Sequence, residues 1–85
     1  MVSKLVEMVN GKIEEESLLV VSIGCGESHM IDSTIPQTIN ADSGIYIEGE
    51  SLTLNISDSS EYQIEYDETE EEFVIRQNGL SFYLS

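Results

Sequence analysis

Apolar and polar residues alternate with a period of two along most of this chain, and turn-forming pairs interrupt the alternation at Asn10-Gly11, Gly49-Glu50 and Asn78-Gly79. A period of two sends successive side chains to opposite faces of a strand, and Asn-Gly supplies the positive φ angles of a tight type I′ hairpin. The register around each turn tests it, because paired strands should set apolar residues opposite one another. Around Asn78-Gly79, Ile75 falls opposite Phe82 and Phe73 opposite Leu84, with Val74, Arg76, Ser81 and Tyr83 on the other face. A turn at Glu68-Thr69 then sets Ile64 opposite Phe73 and Tyr62 opposite Ile75, which predicts a three-stranded meander from Tyr62 to Leu84. Gly49 suits the first central position of a type II′ turn, and that register sets Ile47 against Leu52 and Ile45 against Leu54.

The N-terminal segment reads two ways. As a hairpin about Asn10-Gly11 it sets Met8 opposite Ile13 and Val2 opposite Leu19, although Glu7 then meets Glu14. As a helix, Val2, Leu5, Val6 and Val9 share one face and Asn10-Gly11 ends it. The strand reading is preferred. Leu18 to Ile23 is apolar on both faces and predicts a central, doubly buried strand. Between Gly24 and Ser43 the pattern lapses into a long connection with one short edge strand near Thr34 to Ile39. The expected fold is all-β: a small antiparallel β-sandwich or partly open barrel, built from hairpins and the C-terminal three-stranded meander. A short N-terminal helix over residues 2–9 is the alternative to a first strand.

At 85 residues, with 40% hydrophobic side chains, the chain fits a single globular domain over residues 1–85. Its charge is unusual: seventeen Asp and Glu against Lys4, Lys12 and Arg76 give a formal net charge of −14. Such an excess costs stability through self-repulsion and opposes direct binding to nucleic acid or anionic lipid. A single cysteine, Cys25, excludes an intramolecular disulfide, and a small chain without such staples points to the cytoplasm. No apolar signal region opens the sequence, and its longest apolar run, Leu18 to Val21, is too short to span a bilayer.

Candidate chemistry is sparse. Cys25, between two glycines, has His29 four residues on, which suggests a nucleophile and base. An activated thiolate needs positive surroundings, however, and Glu27 and Asp32 are the charged neighbours. Cys25, His29 and Asp32 also fall short of the four ligands that zinc usually takes, and the acidic run Asp67 to Glu72 lacks the Gly and alternating ligands of an EF-hand loop. No metal site, cofactor motif or catalytic constellation is expected. Ser28 and His29 beside a Gly-bearing turn resemble the phosphothreonine-binding forkhead-associated sandwich. That family's phosphate reading depends on Arg; the one Arg here lies in the meander, so the function is not carried over.

The acids recur two residues apart, as in Glu14 with Glu16, Glu48 with Glu50, Glu65 with Asp67, and Glu70 with Glu72, and so share faces of strands about 6.6 Å apart. In the expected meander Glu65 also falls opposite Glu72. A chain of this length spans roughly 30 Å, over which duplex DNA carries roughly 18 charges, comparable to the protein's own net charge. In size and charge the chain is similar to small phage-encoded anti-CRISPR and anti-restriction inhibitors. The expected function is therefore a non-enzymatic acidic inhibitor that occupies the basic, nucleic-acid-binding surface of a partner protein. Its contacts would be Glu65, Asp67, Glu68, Glu70, Glu71 and Glu72. The alternative is an assembly module, a homodimer included, that pairs strand edges through an open C-terminal strand and an outer face carrying Tyr83 and Val74.

Overall fold

A computed structural model describes residues 1–85. It is mostly β, in two antiparallel sheets, as the alternating pattern predicts, with one N-terminal helix. The chain opens with helix α1 (Val2–Glu15), followed by strands β1 (Leu19–Cys25), β2 (Ser28–Thr34), β3 (Pro36–Asn40), β4 (Ile45–Gly49), β5 (Thr53–Ile56), β6 (Gln63–Asp67), β7 (Glu72–Gln77) and β8 (Leu80–Leu84). Five strands form one sheet in the order β2-β1-β8-β7-β6, and β3-β4-β5 form the other. The radius of gyration is 12.0 Å and the longest extent 33 Å. No helix is long and apolar enough to cross a membrane.

The preferred strand reading of the N-terminus is overturned. Residues 2–15 are helical and Asn10-Gly11 lies inside the helix, because Leu5 and Val9, one helical turn apart, are both fully buried in the core. Tertiary packing of that face outweighs the turn propensity of Asn-Gly. The helix instead ends at Glu16, which adopts a left-handed conformation at φ 54°. Ser17 N–H donates to Lys12 O at 3.0 Å and Glu16 N–H to Ile13 O at 3.3 Å, the pair of bonds that closes a Schellman motif.

Both sheets turn their apolar faces toward one cluster of buried side chains that includes Leu19, Val21, Ile45, Ile47, Leu54, Ile56, Phe73, Ile75, Phe82 and Leu84. The β7–β8 register is the predicted one, with Ile75 opposite Phe82 and Phe73 opposite Leu84. Two other registers are each displaced by two residues. Ile64 pairs with Ile75 and Tyr66 with Phe73, so Glu65 faces Val74 and the expected Glu65–Glu72 opposition does not form. Ile47 pairs with Leu54 and Ile45 with Ile56. The connections are residues 50–52 and 68–71 instead of the two-residue turns expected, and a shift of two preserves which face is apolar. Gly49 has no positive φ; it is small because a Cβ there would overlap the Thr34 side chain.

That contact lies where the chain changes sheets. Thr34 ends β2 in the larger sheet, and Pro36 begins β3 in the smaller one. The β4–β5 loop ties the corner: Ser51 N–H donates to Thr34 Oγ1 at 3.0 Å, Ser51 Oγ–H to Ser33 O at 2.9 Å, and Glu50 N–H to Ile35 O at 3.1 Å. The expected long connection is thus two strands, β2 and β3, joined by this corner. The predicted central strand is buried on one face only: Leu19 and Val21 are buried, while Leu18 and Val20 are exposed. The C-terminal strand is not an open edge, since β8 lies between β1 and β7. The open edges of this sheet are β2 and β6.

Candidate functional site: the acidic β6–β7 hairpin

Glu65, Asp67, Glu68, Glu70, Glu71 and Glu72 all lie on the β6–β7 hairpin, and the structure gives them different tasks. Asp67 organises the loop: its Oδ1 accepts from the backbone N–H of Thr69 at 2.9 Å and of Glu70 at 3.2 Å, an Asx turn that fixes the chain's reversal. Glu71 completes the reversal in a left-handed conformation, φ 54°. Glu65 is ion-paired with Arg76, its diagonal neighbour across the ladder. Both partners are largely exposed, so the pair adds little stability.

Glu72 begins β7 half-buried and directly opposite Asp67. Burial raises its carboxyl above the ordinary 4.5, and repulsion from Glu70 and Asp67 raises it further. Glu68, Glu70 and Glu71 remain exposed, and no cation lies within ion-pair distance of any of them. Of the six predicted contacts these three are therefore the ones free to meet a partner.

Beside the hairpin lies a solvent-open recess of about 640 Å³, lined by Met1, Lys4, Glu7 and Met8 of the N-terminal region and by Tyr66, Glu68 and Phe73. Tyr66 and Phe73, directly paired on the core-facing side, meet edge to face with ring centroids 4.9 Å apart. Four apolar or aromatic side chains, two acids and Lys4 line the recess, which a strand reading of the N-terminus does not predict. Lys4 stands near the acids here without an ion pair.

The other candidates are dispersed. The β1–β2 register pairs Cys25 with Ser28 and Gly24 with His29, which sends the Cys25 and His29 side chains to opposite faces of the sheet. Asp32 pairs with Val21, four residues along β1 from Cys25. No three His, Cys, Asp or Glu side chains gather as a metal-binding group. Val74 is 3% exposed although it lies on the outer face, so it is closed to the assembly role expected of it, and Tyr83 opposite is half-buried. No protein-family model matches the chain, and neither a curated protein nor a solved structure does.

Proposed function

We propose that this protein is a non-enzymatic acidic inhibitor that seats its β6–β7 hairpin in the basic, nucleic-acid-binding surface of a partner protein. One observation carries the reading: seventeen acids share a single ion pair, and the ordered loop Glu68–Glu71 holds three of the unpaired carboxylates at one edge of a sheet. Uncompensated charge costs stability through repulsion, so its concentration on a turn fixed by Asp67 supports a role in presenting it. At a length of 33 Å and a net charge of −14 the protein approximates the charge of a duplex segment, about 19 over that distance. The Tyr66 and Phe73 rings and the Glu7 and Glu68 carboxylates of the neighbouring recess, which outnumber its one lysine, Lys4, suit the aliphatic stem and charged head of a partner Lys or Arg.

The immobilised chain tests this against cell lysate at low and high salt. The reading expects captured proteins that bind nucleic acid, that elute as salt rises and that duplex DNA displaces. Capture that resists salt, or that DNA does not affect, refutes it.

A further inference from the structure

The two edges of the five-stranded sheet differ in character. β6 at one edge belongs to the acidic hairpin. At the other, the β1–β2 hairpin from Leu18 to Thr34 carries only Glu27 and Asp32 as acids. Four of the seven exposed large apolar or aromatic side chains collect there: Leu18, Val20, Met30 and Ile31, the last two 66% and 72% exposed. β2 is exposed along both faces until Ser33. A long edge of this kind is an open template for another strand.

The backbone says which part is open. Gly26-Glu27 form a two-residue loop with Gly26 at φ 61°, so Cys25 and Ser28 make a hydrogen-bonded pair. Alternation then turns the N–H and C=O of Met30, Asp32 and Thr34 toward β1, and those of His29, Ile31 and Ser33 toward the outside. Ser33 is already satisfied: its N–H donates to Asp32 Oδ1 at 2.8 Å and its C=O accepts from Ser51 Oγ at 2.9 Å. The free ladder positions are His29 and Ile31.

We propose that β2 pairs antiparallel with β2 of a second copy of this chain, about a twofold axis at Met30. A twofold perpendicular to the sheet keeps every side chain on its own face, so the axis must pass midway between one residue and the same residue of the second copy. Centred on Met30, His29 and Ile31 of one copy exchange backbone bonds with Ile31 and His29 of the other, and Met30 packs on its counterpart. An axis at Ile31 would need the Ser33 groups that Asp32 and Ser51 occupy, and an axis at Asp32 would set two carboxylates face to face. Charge selects a second copy as the occupant. Of the two edges of this sheet, a basic partner is drawn to β6, whereas two copies of net charge −14 repel less at β2, where Asp32 is the one acid and exposed Met30 and Ile31 supply apolar contact. The acidic hairpins then lie at the far ends of one continuous sheet, with β6 four strand spacings from β2 in each copy, about 19 Å at 4.8 Å per strand.

Sedimentation of the full chain over a range of concentration and salt tests the association. A dimer is expected that tightens as salt screens like charge; a monomer under all conditions overturns the proposal. Ile31→Lys should weaken the dimer at least tenfold with an unchanged melting curve for the dilute chain. Ile31→Pro, which removes an N–H that β1 does not use, should do the same; unchanged dimers in both variants overturn the assigned edge. The axis is read by cross-linking in a Cys25→Ser background. Opposed Cα atoms at a non-hydrogen-bonded pair lie about 4.5 Å apart, within disulfide reach. Met30→Cys should therefore cross-link at least tenfold faster than Ile31→Cys, and the reverse order overturns the axis. Binding to a basic partner responds to salt in the opposite sense, so either reading can fail while the other stands.

Discussion

Replacing Gly11 by Ala separates the helical N-terminus from the hairpin that Asn10-Gly11 suggests. In the structure Gly11 sits within α1, and a Cβ built there meets nothing within 4 Å. The substitution therefore introduces no clash, and its effect is the difference in helix propensity between Gly and Ala. That difference is about 0.8–1.0 kcal/mol in favour of Ala, much of it from the lost freedom of the unfolded chain. For a domain of this size, about 1 kcal/mol raises the melting temperature by roughly 4–8 °C. Thermal and urea melts followed by far-ultraviolet circular dichroism measure it, with an unchanged urea slope expected because the buried surface is the same. A type I′ turn makes the opposite demand, since a Cβ at its left-handed glycine costs roughly 1–2 kcal/mol. A fall in stability of that size would refute the helix and the packing of Leu5 and Val9 that depends on it.

Gly49→Ala should destabilise the fold by about 1–3 kcal/mol, the usual cost of overpacking, because the new Cβ meets Thr34 at the corner between the sheets; a neutral result in a denaturant melt contradicts that corner. Glu72 has a folded-state pKa raised above 4.5, so its ionised form costs stability at neutral pH and the cost fades as pH falls through the raised value. Glu72→Gln should accordingly stabilise the protein at pH 7, with a gain that shrinks toward zero near about pH 4, and a pH-independent gain contradicts the assignment. Salt raised from low to physiological levels should raise the melting temperature by screening self-repulsion, and a flat response would mean the charges are already compensated.

The parts of the fold legible in the sequence are those where local pattern and burial agree. Asn78-Gly79 is flanked by Phe73, Ile75, Phe82 and Leu84 at alternating positions, and the hairpin forms with that register. The loops at 50–52 and 68–71 preserve the apolar face but displace the pairing, because alternation fixes face and not loop length. The helix was obscured because Val2, Val6 and Val9 suit strand or helix alike, and only packing against the sheets decides between them. β2 was missed because an edge strand exposed on both faces has no need to alternate; Met30 and Ile31 are neighbours and both lie in solvent. In the candidate site the acids were plain, but their division of labour was not. That Asp67 caps the loop, that Glu65 is held by Arg76 and that Glu72 is half-buried all follow from the true register.

The central claim is that the free carboxylates of the β6–β7 loop compete with nucleic acid for a basic surface. Glu68→Gln, Glu70→Gln and Glu71→Gln together remove three exposed charges while leaving Asp67 to order the turn. The measurement is displacement of labelled duplex DNA from the captured nucleic-acid-binding partner by the parent chain and by this triple variant, across a salt series. At about 0.5 kcal/mol for each exposed charge, the variant should compete roughly tenfold more weakly at low salt, with a shallower salt dependence and no loss of fold stability. Equal displacement by parent and variant with the same salt dependence would contradict the claim.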